Sequence, residues 1–231
     1  LIDRVTHHPL IRVRLNSQLK SVDGHVGQFK ANIASADKSE QVPFGALVVA
    51  TGASEYQPGE YLHGQDRRVL TQLAFQEDLA QRPQALNGVD SVVMIQCVGS
   101  REIDHPYCSR VCCGQAVANA LRVKELKPLA EVTVLYRDMR TFSLKELYYQ
   151  RARKLGVRFV RFDPERPPRL RAGEQSLEVA VWDQILGQWL LLPAQRLVLS
   201  AAVRPRADAP RLASALKLPL DADGFFMEAH L

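Results

Sequence analysis

The stretch SVVMIQCVGSREIDHPYCSRVCCGQAVANALRV, residues 91–123, decides the fold. Read with its flank as GVDSVVMIQC (88–97), it opens on a short, nearly unbroken apolar run. That pattern predicts a strand buried on both faces of a parallel sheet, ending at Cys97. A polar loop follows. CSRVCCGQAVANALRVKELKP (108–128) then predicts a helix, with Val117, Leu121 and Leu126 on a partly apolar face. A buried strand that feeds a helix through a loop is half of a βαβ unit.

Working outward, the same alternation continues. AEVTVLYR (130–137) reads as a strand. SLKELYYQRARKLG (143–156) reads as a helix with Ser143 and Glu146 as a capping box and Gly156 at its end. VRFVRF (157–162) reads as a strand. After a Pro/Arg-rich turn, LEVAVWDQILGQWLLLPAQRLVLSAAV (177–203) predicts a β-meander ending in a strand at Leu197–Ala201. Upstream, TQLAFQEDLAQRP (71–83) predicts a helix with Thr71 as N-cap. IRVRLNSQLKSVDGHVGQFKANIA (11–34) predicts a hairpin or meander broken at Asp23-Gly24 and Gly27. FGALVVATGASEY (44–56) predicts a buried parallel strand at Ala46–Ala50 running into Thr51-Gly52. The whole is the pattern of a doubly wound α/β domain with added β structure.

All four cysteines of the chain, Cys97, Cys108, Cys112 and Cys113, fall inside the opening stretch. Cys97 sits at the carboxyl end of a predicted parallel strand, where ligands bind in open α/β sheets. On a helix, Cys108 and Cys112 would share a face, and Cys113 would reach inward from the same turns. Four thiols would then converge where a helix dipole and free N–H groups favour negative charge, with Arg101 and Arg110 nearby. Spacing alone leaves open an iron–sulfur site, a zinc site, redox-active thiols and plain core cysteines. It lacks the paired C-x2-4-C knuckles usual for zinc.

Composition frames these readings. The 231 residues are 46% hydrophobic and 24% charged, with net charge +5. The arginines and lysines are scattered without aromatic interleaving, which argues against a nucleic-acid partner. No apolar run reaches the ~18 residues that cross a membrane, so membrane insertion is not expected. No Ser/His/Asp triad or carboxylate pair stands out.

The block CVGSREIDHPYCSRVCC (97–113), with AEVTVLYRDMR (130–140) and RARKLGVRFVR (151–161), resembles the heterodisulfide reductase A-subunit family. VDGHVGQFKANI (22–33), LVVATGASEYQP (47–58) and DADGFFMEAHL (221–231) extend the resemblance over nearly the whole chain. The family implies a thioredoxin-reductase-like flavoprotein: an FAD/NAD(P)-binding Rossmann-like domain set between incomplete FAD-domain segments. The implied division is 1–58 for the end of the first FAD half, 59–87 for a connecting helix, 88–203 for the cluster-bearing domain, and 204–231 for the return to the FAD domain. Where a nicotinamide-binding relative has G-x-G-x-x-G, this chain has Cys97-Val98-Gly99-Ser100. By resemblance Cys97, Cys108, Cys112 and Cys113 ligate a [4Fe–4S] cluster.

The resemblance further implies FAD contacts at Ala50, Thr51 and Gly52, in a site this internal fragment leaves incomplete. It implies a cytoplasmic oxidoreductase component that passes electrons between FAD and iron–sulfur clusters and acts on sulfur groups through a partner protein. The partners are other redox subunits of such a complex and a hydrogenase or ferredoxin-type donor; the fragment itself is expected to be inactive. The family's lysine five residues after the vicinal cysteines is replaced by Ala118, which argues for plain relay over electron bifurcation. The rivals are a flavin-dependent disulfide oxidoreductase using Cys112 and Cys113, and a zinc-stabilised interaction module. Of the remaining residues, His105 reads as loop-shaping, His7 and His8 as surface, Arg137 as a surface or docking charge, and Trp182 and Trp189 as packing.

Overall fold

The computed structural model describes residues 1–36 and 38–228, so the last three residues of the 204–231 segment lie outside the described residues. The chain divides into two compact units, Leu1–Ser54 with Pro205–Leu231, and Glu55–Arg204.

The first unit begins with a short helix α1 (Ile2–Thr6) and an antiparallel meander of β1 (Gln18–Asp23), β2 (Phe29–Ala34) and β3 (Ser39–Phe44). Gly24 makes the β1–β2 turn at φ +101°, where a Cβ would stand 2.2 Å from the Gln28 carbonyl oxygen. A side chain is excluded there both by conformation and by space. Phe29 and Phe44 face each other in register, their rings stacked with centroids 5.5 Å apart. The strand expected at Ala46–Ala50 is not formed. These residues are extended coil, Val48 is 87% exposed, and no described strand pairs with them. An apolar run becomes a parallel strand only when neighbouring strands satisfy its backbone groups. β4 (Ser54–Glu55) leads into the second unit.

The second unit is built on a five-stranded parallel sheet. Its strands are β5 (Val69–Thr71), β6 (Ser91–Val98), β7 (Glu131–Tyr136), β8 (Arg158–Arg161) and, later in the chain, β12 (Arg196–Ala201), in the order β5-β12-β6-β7-β8. Helices α2 (Gln72–Gln81), α3 (Cys112–Leu126) and α4 (Lys145–Lys154) cover one face. An antiparallel meander of β9 (Arg169–Ala172), β10 (Leu177–Asp183) and β11 (Gln188–Ala194) covers the other. The period-two alternation of β6 accounts for this sandwich. Val92 and Met94 point to Phe75, Leu79, Val117 and Ala120 on the helical side. Val93 and Ile95 point to Leu177, Val179 and Leu197 on the meander side. A strand apolar on both faces needs cover on both, and the sequence supplies three helices for one and a meander for the other. The two-residue β13 (Val203–Arg204) ends the unit, and the chain returns to the first unit through α5 (Ala209–Leu216).

Thr71 caps α2 as expected, its Oγ1 accepting from Ala74 N–H at 3.2 Å. The capping box at Ser143 and Glu146 is not formed. Ser143 lies in the left-handed region at φ 57°, and the Glu146 carboxylate accepts instead from Thr141 Oγ1 at 3.2 Å. An N-cap needs an extended backbone to turn its side chain back onto the first turn, and Ser143 lacks one. Helix α3 starts at Cys112, so Cys108 is not on it. Arg110, at φ 62°, interrupts right-handed helix two residues before the start.

Candidate metal centre

Because the strands are parallel, the loops after β6, β7 and β12 all leave the same carboxyl edge of the sheet, and α3 begins there. The cysteines belong to this edge. Cys97 is the seventh residue of β6, Cys108 lies in the loop, and Cys112 and Cys113 open α3. Cys97, Cys112 and Cys113 are buried and Cys108 is half-buried; all four are free thiols. Val111, the residue before α3, offers no side-chain cap, so the first N–H groups of the helix are left for another acceptor.

The thiols act on one another. Cys112 hydrogen-bonds Cys113 and feels the charges of Cys113, Cys97 and Cys108. That bond, then burial, pushes the Cys112 thiol above its ordinary value, and the same bond pulls Cys113 below. Burial raises Cys97, opposed by the Arg101 and Arg137 charges. Cys108 Sγ accepts from the Arg110 N–H at 3.4 Å, and Cys113 Sγ donates to the Asp138 carbonyl at 3.8 Å. Among the described residues no three His, Cys, Asp or Glu side chains stand together as a closed metal-holding group. The donor set nonetheless fits an iron–sulfur cluster in kind: four mutually interacting thiols, a helix N-terminus and buried cationic groups.

The loop that carries Cys97 and Cys108 is strained and strongly tied. Cys97, Gly99 and Arg101 all adopt left-handed backbone, at φ 65°, 72° and 60°. Such clustering of costly conformations is characteristic of functional sites. Arg204 ties the loop from the end of β13: its Nη2 donates to the Gly99 carbonyl at 2.7 Å and its Nη1 to Tyr107 Oη at 3.0 Å. Tyr107 Oη donates in turn to the Val203 carbonyl at 2.9 Å, and the Val203 N–H donates to Ser109 Oγ at 3.0 Å. His105 shapes the loop through a β-bridge with Glu102 and an edge contact with Tyr107.

Arg137 is not the surface charge its position at a strand end suggests. Its side chain is 11% exposed, ion-paired with Glu102, and its Nη1 donates to the Arg101 carbonyl at 2.8 Å. Only the tertiary placement of the β7 end beside the cysteine loop reveals this. Trp182 and Trp189 pack edge to face across β10 and β11, 5.8 Å apart. Ala50, Thr51 and Gly52 belong to the other unit and are exposed, with Gly52 at φ 68°. By themselves they enclose no cofactor.

No profile of a known protein family matches the chain. Individual relatives do. The A-subunit of the ferredoxin:CoB-CoM heterodisulfide reductase of Methanosarcina acetivorans is 32% identical over 256 residues, covering 88% of this chain and 32% of that protein. The iron-sulfur A-subunit of the CoB–CoM heterodisulfide reductase of Methanocaldococcus jannaschii is 37% identical over 206 residues, covering 80% and 31%. The A-subunit of the H2/formate:CoB-CoM heterodisulfide,ferredoxin reductase of Methanococcus maripaludis is 35% identical, covering 82% and 31%. The chain belongs to the heterodisulfide reductase A-subunit family. It spans about a third of the length of these relatives.

Solved structures place this heterodisulfide reductase A-subunit segment in a fold class. Lactococcus lactis thioredoxin reductase matches with TM-score 0.52 at 18% identity, covering 92% of this chain and 60% of that one. T. acidophilum thioredoxin reductase matches with TM-score 0.50 at 16% identity, covering 94% and 61%. The expected thioredoxin-reductase-like α/β fold is therefore the observed one.

Proposed function

We propose that this chain is the cluster-bearing part of an electron-transfer subunit in a heterodisulfide-reductase-like complex, with Cys97, Cys108, Cys112 and Cys113 as ligands of a [4Fe–4S] cluster. The observation that carries the reading is the meeting of four thiols at the start of α3, with Cys112 in electrostatic reach of the other three. When bound, the cluster supplies one-electron transfer. The chain's own part is to bury the thiols, present the α3 N-terminus to their negative charge and hold the 97–113 loop through Arg137 and Arg204. FAD is proposed as the second cofactor of the whole protein, with Ala50, Thr51 and Gly52 as its contacts in this segment. Other redox subunits are its proposed partners, with ferredoxin, H2 or formate as the donors that the relatives' names carry. Among the described residues no helix is long and apolar enough to cross a membrane.

A second reading has one observation in its favour: the hydrogen bond that holds Cys113 below its ordinary thiol value. A lowered thiol is a better nucleophile at neutral pH, so the vicinal pair could serve as redox thiols. Iron and acid-labile sulfide on the anaerobically reconstituted chain separate the two. About four of each per chain, lost in Cys112→Ser, support the cluster. Four titratable thiols without iron sink it and promote the vicinal pair; zinc without sulfide sinks both.

A further inference from the structure

We propose that Arg101, held in place by Arg137, sets the reduction potential of the four-cysteine site by donating to the Cys97 sulfur. The inference rests on the cluster reading above and adds the control of its redox poise.

Arg101 is an arginine in left-handed backbone, φ 60°, which nothing in its own chemistry favours. It is kept there from three sides. Its N–H donates to the Tyr107 carbonyl at 3.2 Å, its carbonyl accepts from Arg137 Nη1 at 2.8 Å, and the preceding Ser100 is buried. The conformation brings the guanidinium back over the end of β6, where it hydrogen-bonds the Cys97 thiol and lies in the field of Cys113. Asp138 Oδ2 stands 2.7 Å from Arg101 Nη1, but off the N–H direction, so that buried nitrogen has no satisfied hydrogen bond. Arg137 Nε is likewise buried without a partner. Two unsatisfied cationic donors beside buried thiols are costly alone, and a negative group among the thiols relieves both.

Reduction adds one electron, and so one negative charge, to a cluster on these thiols. A fixed cation at Cys97 stabilises the reduced form more than the oxidised one and raises the potential. Asp138 works against it from the far side of the same guanidinium. Charge at these two positions therefore moves the potential in opposite directions, which a purely structural role would not do.

The test is a mediator-linked potentiometric titration of the anaerobically reconstituted full chain, followed by EPR, with iron and sulfide measured on every sample. Arg101→Gln is expected to make reduction about tenfold less favourable, which is about 59 mV lower for a one-electron couple. Arg101→Lys is expected to restore most of that shift, and Asp138→Asn to raise the potential. Unmoved midpoints in Arg101→Gln and Asp138→Asn, with iron intact, overturn the proposal. So does an equal fall in Arg101→Gln and Arg101→Lys. Should Arg101→Gln lose its iron, Asp138→Asn decides alone, because it leaves every arginine in place: a rise supports the proposal and no shift overturns it. Absence of iron from the unaltered chain is a different result; it removes the cluster reading itself.

Discussion

Gly99→Ala tests whether the cysteine loop is held as described. Gly99 has φ +72°, and a Cβ there would stand 2.4 Å from both Cδ1 and Cε1 of Tyr56. Two costs follow. An L-residue in left-handed backbone costs about 1–2 kcal/mol. The Tyr56 ring must also move, and it lies under the Arg204 guanidinium, 4.8 Å from centroid to Cζ. Losing that cation–π contact costs about 0.5–1 kcal/mol at a half-exposed position. The sum is about 1.5–3 kcal/mol, and for a chain of this size about 2–4 °C of Tm per kcal/mol gives a fall of about 3–12 °C. The assay is thermal unfolding of Gly99→Ala, Tyr56→Ala and the double variant. In the Tyr56→Ala background the ring is gone, so Gly99→Ala should cost only its backbone share. A Gly99→Ala variant as stable as the original chain, or equal costs in both backgrounds, would refute the close packing of Tyr56 on this loop.

Three further predictions concern the unit around the site. Thr71→Ala removes the acceptor for Ala74 N–H and the donor to Glu55 Oε2 at 3.0 Å; it should cost about 1–2 kcal/mol in denaturant unfolding, with Thr71→Ser close to unchanged. Burial raises the Glu55 carboxyl above its ordinary 4.5, against the hydrogen bond from Thr71. The folded chain thus holds that proton more tightly than the unfolded one, and this contribution is full below pH 4.5 and lost as pH rises through the folded value. Glu55→Gln should flatten that part of the Tm–pH curve, and an unaltered curve would count against the burial. Asn119 Nδ2 donates to both the Gln72 carbonyl and Gln72 Oε1, at 3.0 and 2.8 Å, in the buried α2–α3 contact. Asn119→Leu should cost about 1–3 kcal/mol by leaving those acceptors unpaired, read as a lower denaturant midpoint.

Sequence alone determined the elements that depend on local pattern. β6 is legible because Val92–Ile95 is apolar on both faces, and α2 because Thr71 can cap it within its own turn. The four cysteines are legible as a set because they fall within one loop and its flanks. Tertiary structure decided what distant segments supply. Ala46–Ala50 has a strand's composition but no described strand beside it, and a strand is a relation between segments. Cys108 has helical spacing from Cys112, yet Arg110 turns left-handed while Tyr107 and Ser109 are tied to Val203. The guanidiniums of Arg101, Arg137 and Arg204 meet the cysteine loop because β6, β7 and β12 run parallel and release their following loops at one edge. Spacing along a chain records which groups are neighbours in sequence; which charges surround a buried thiol is set by strand order, and no local pattern encodes that.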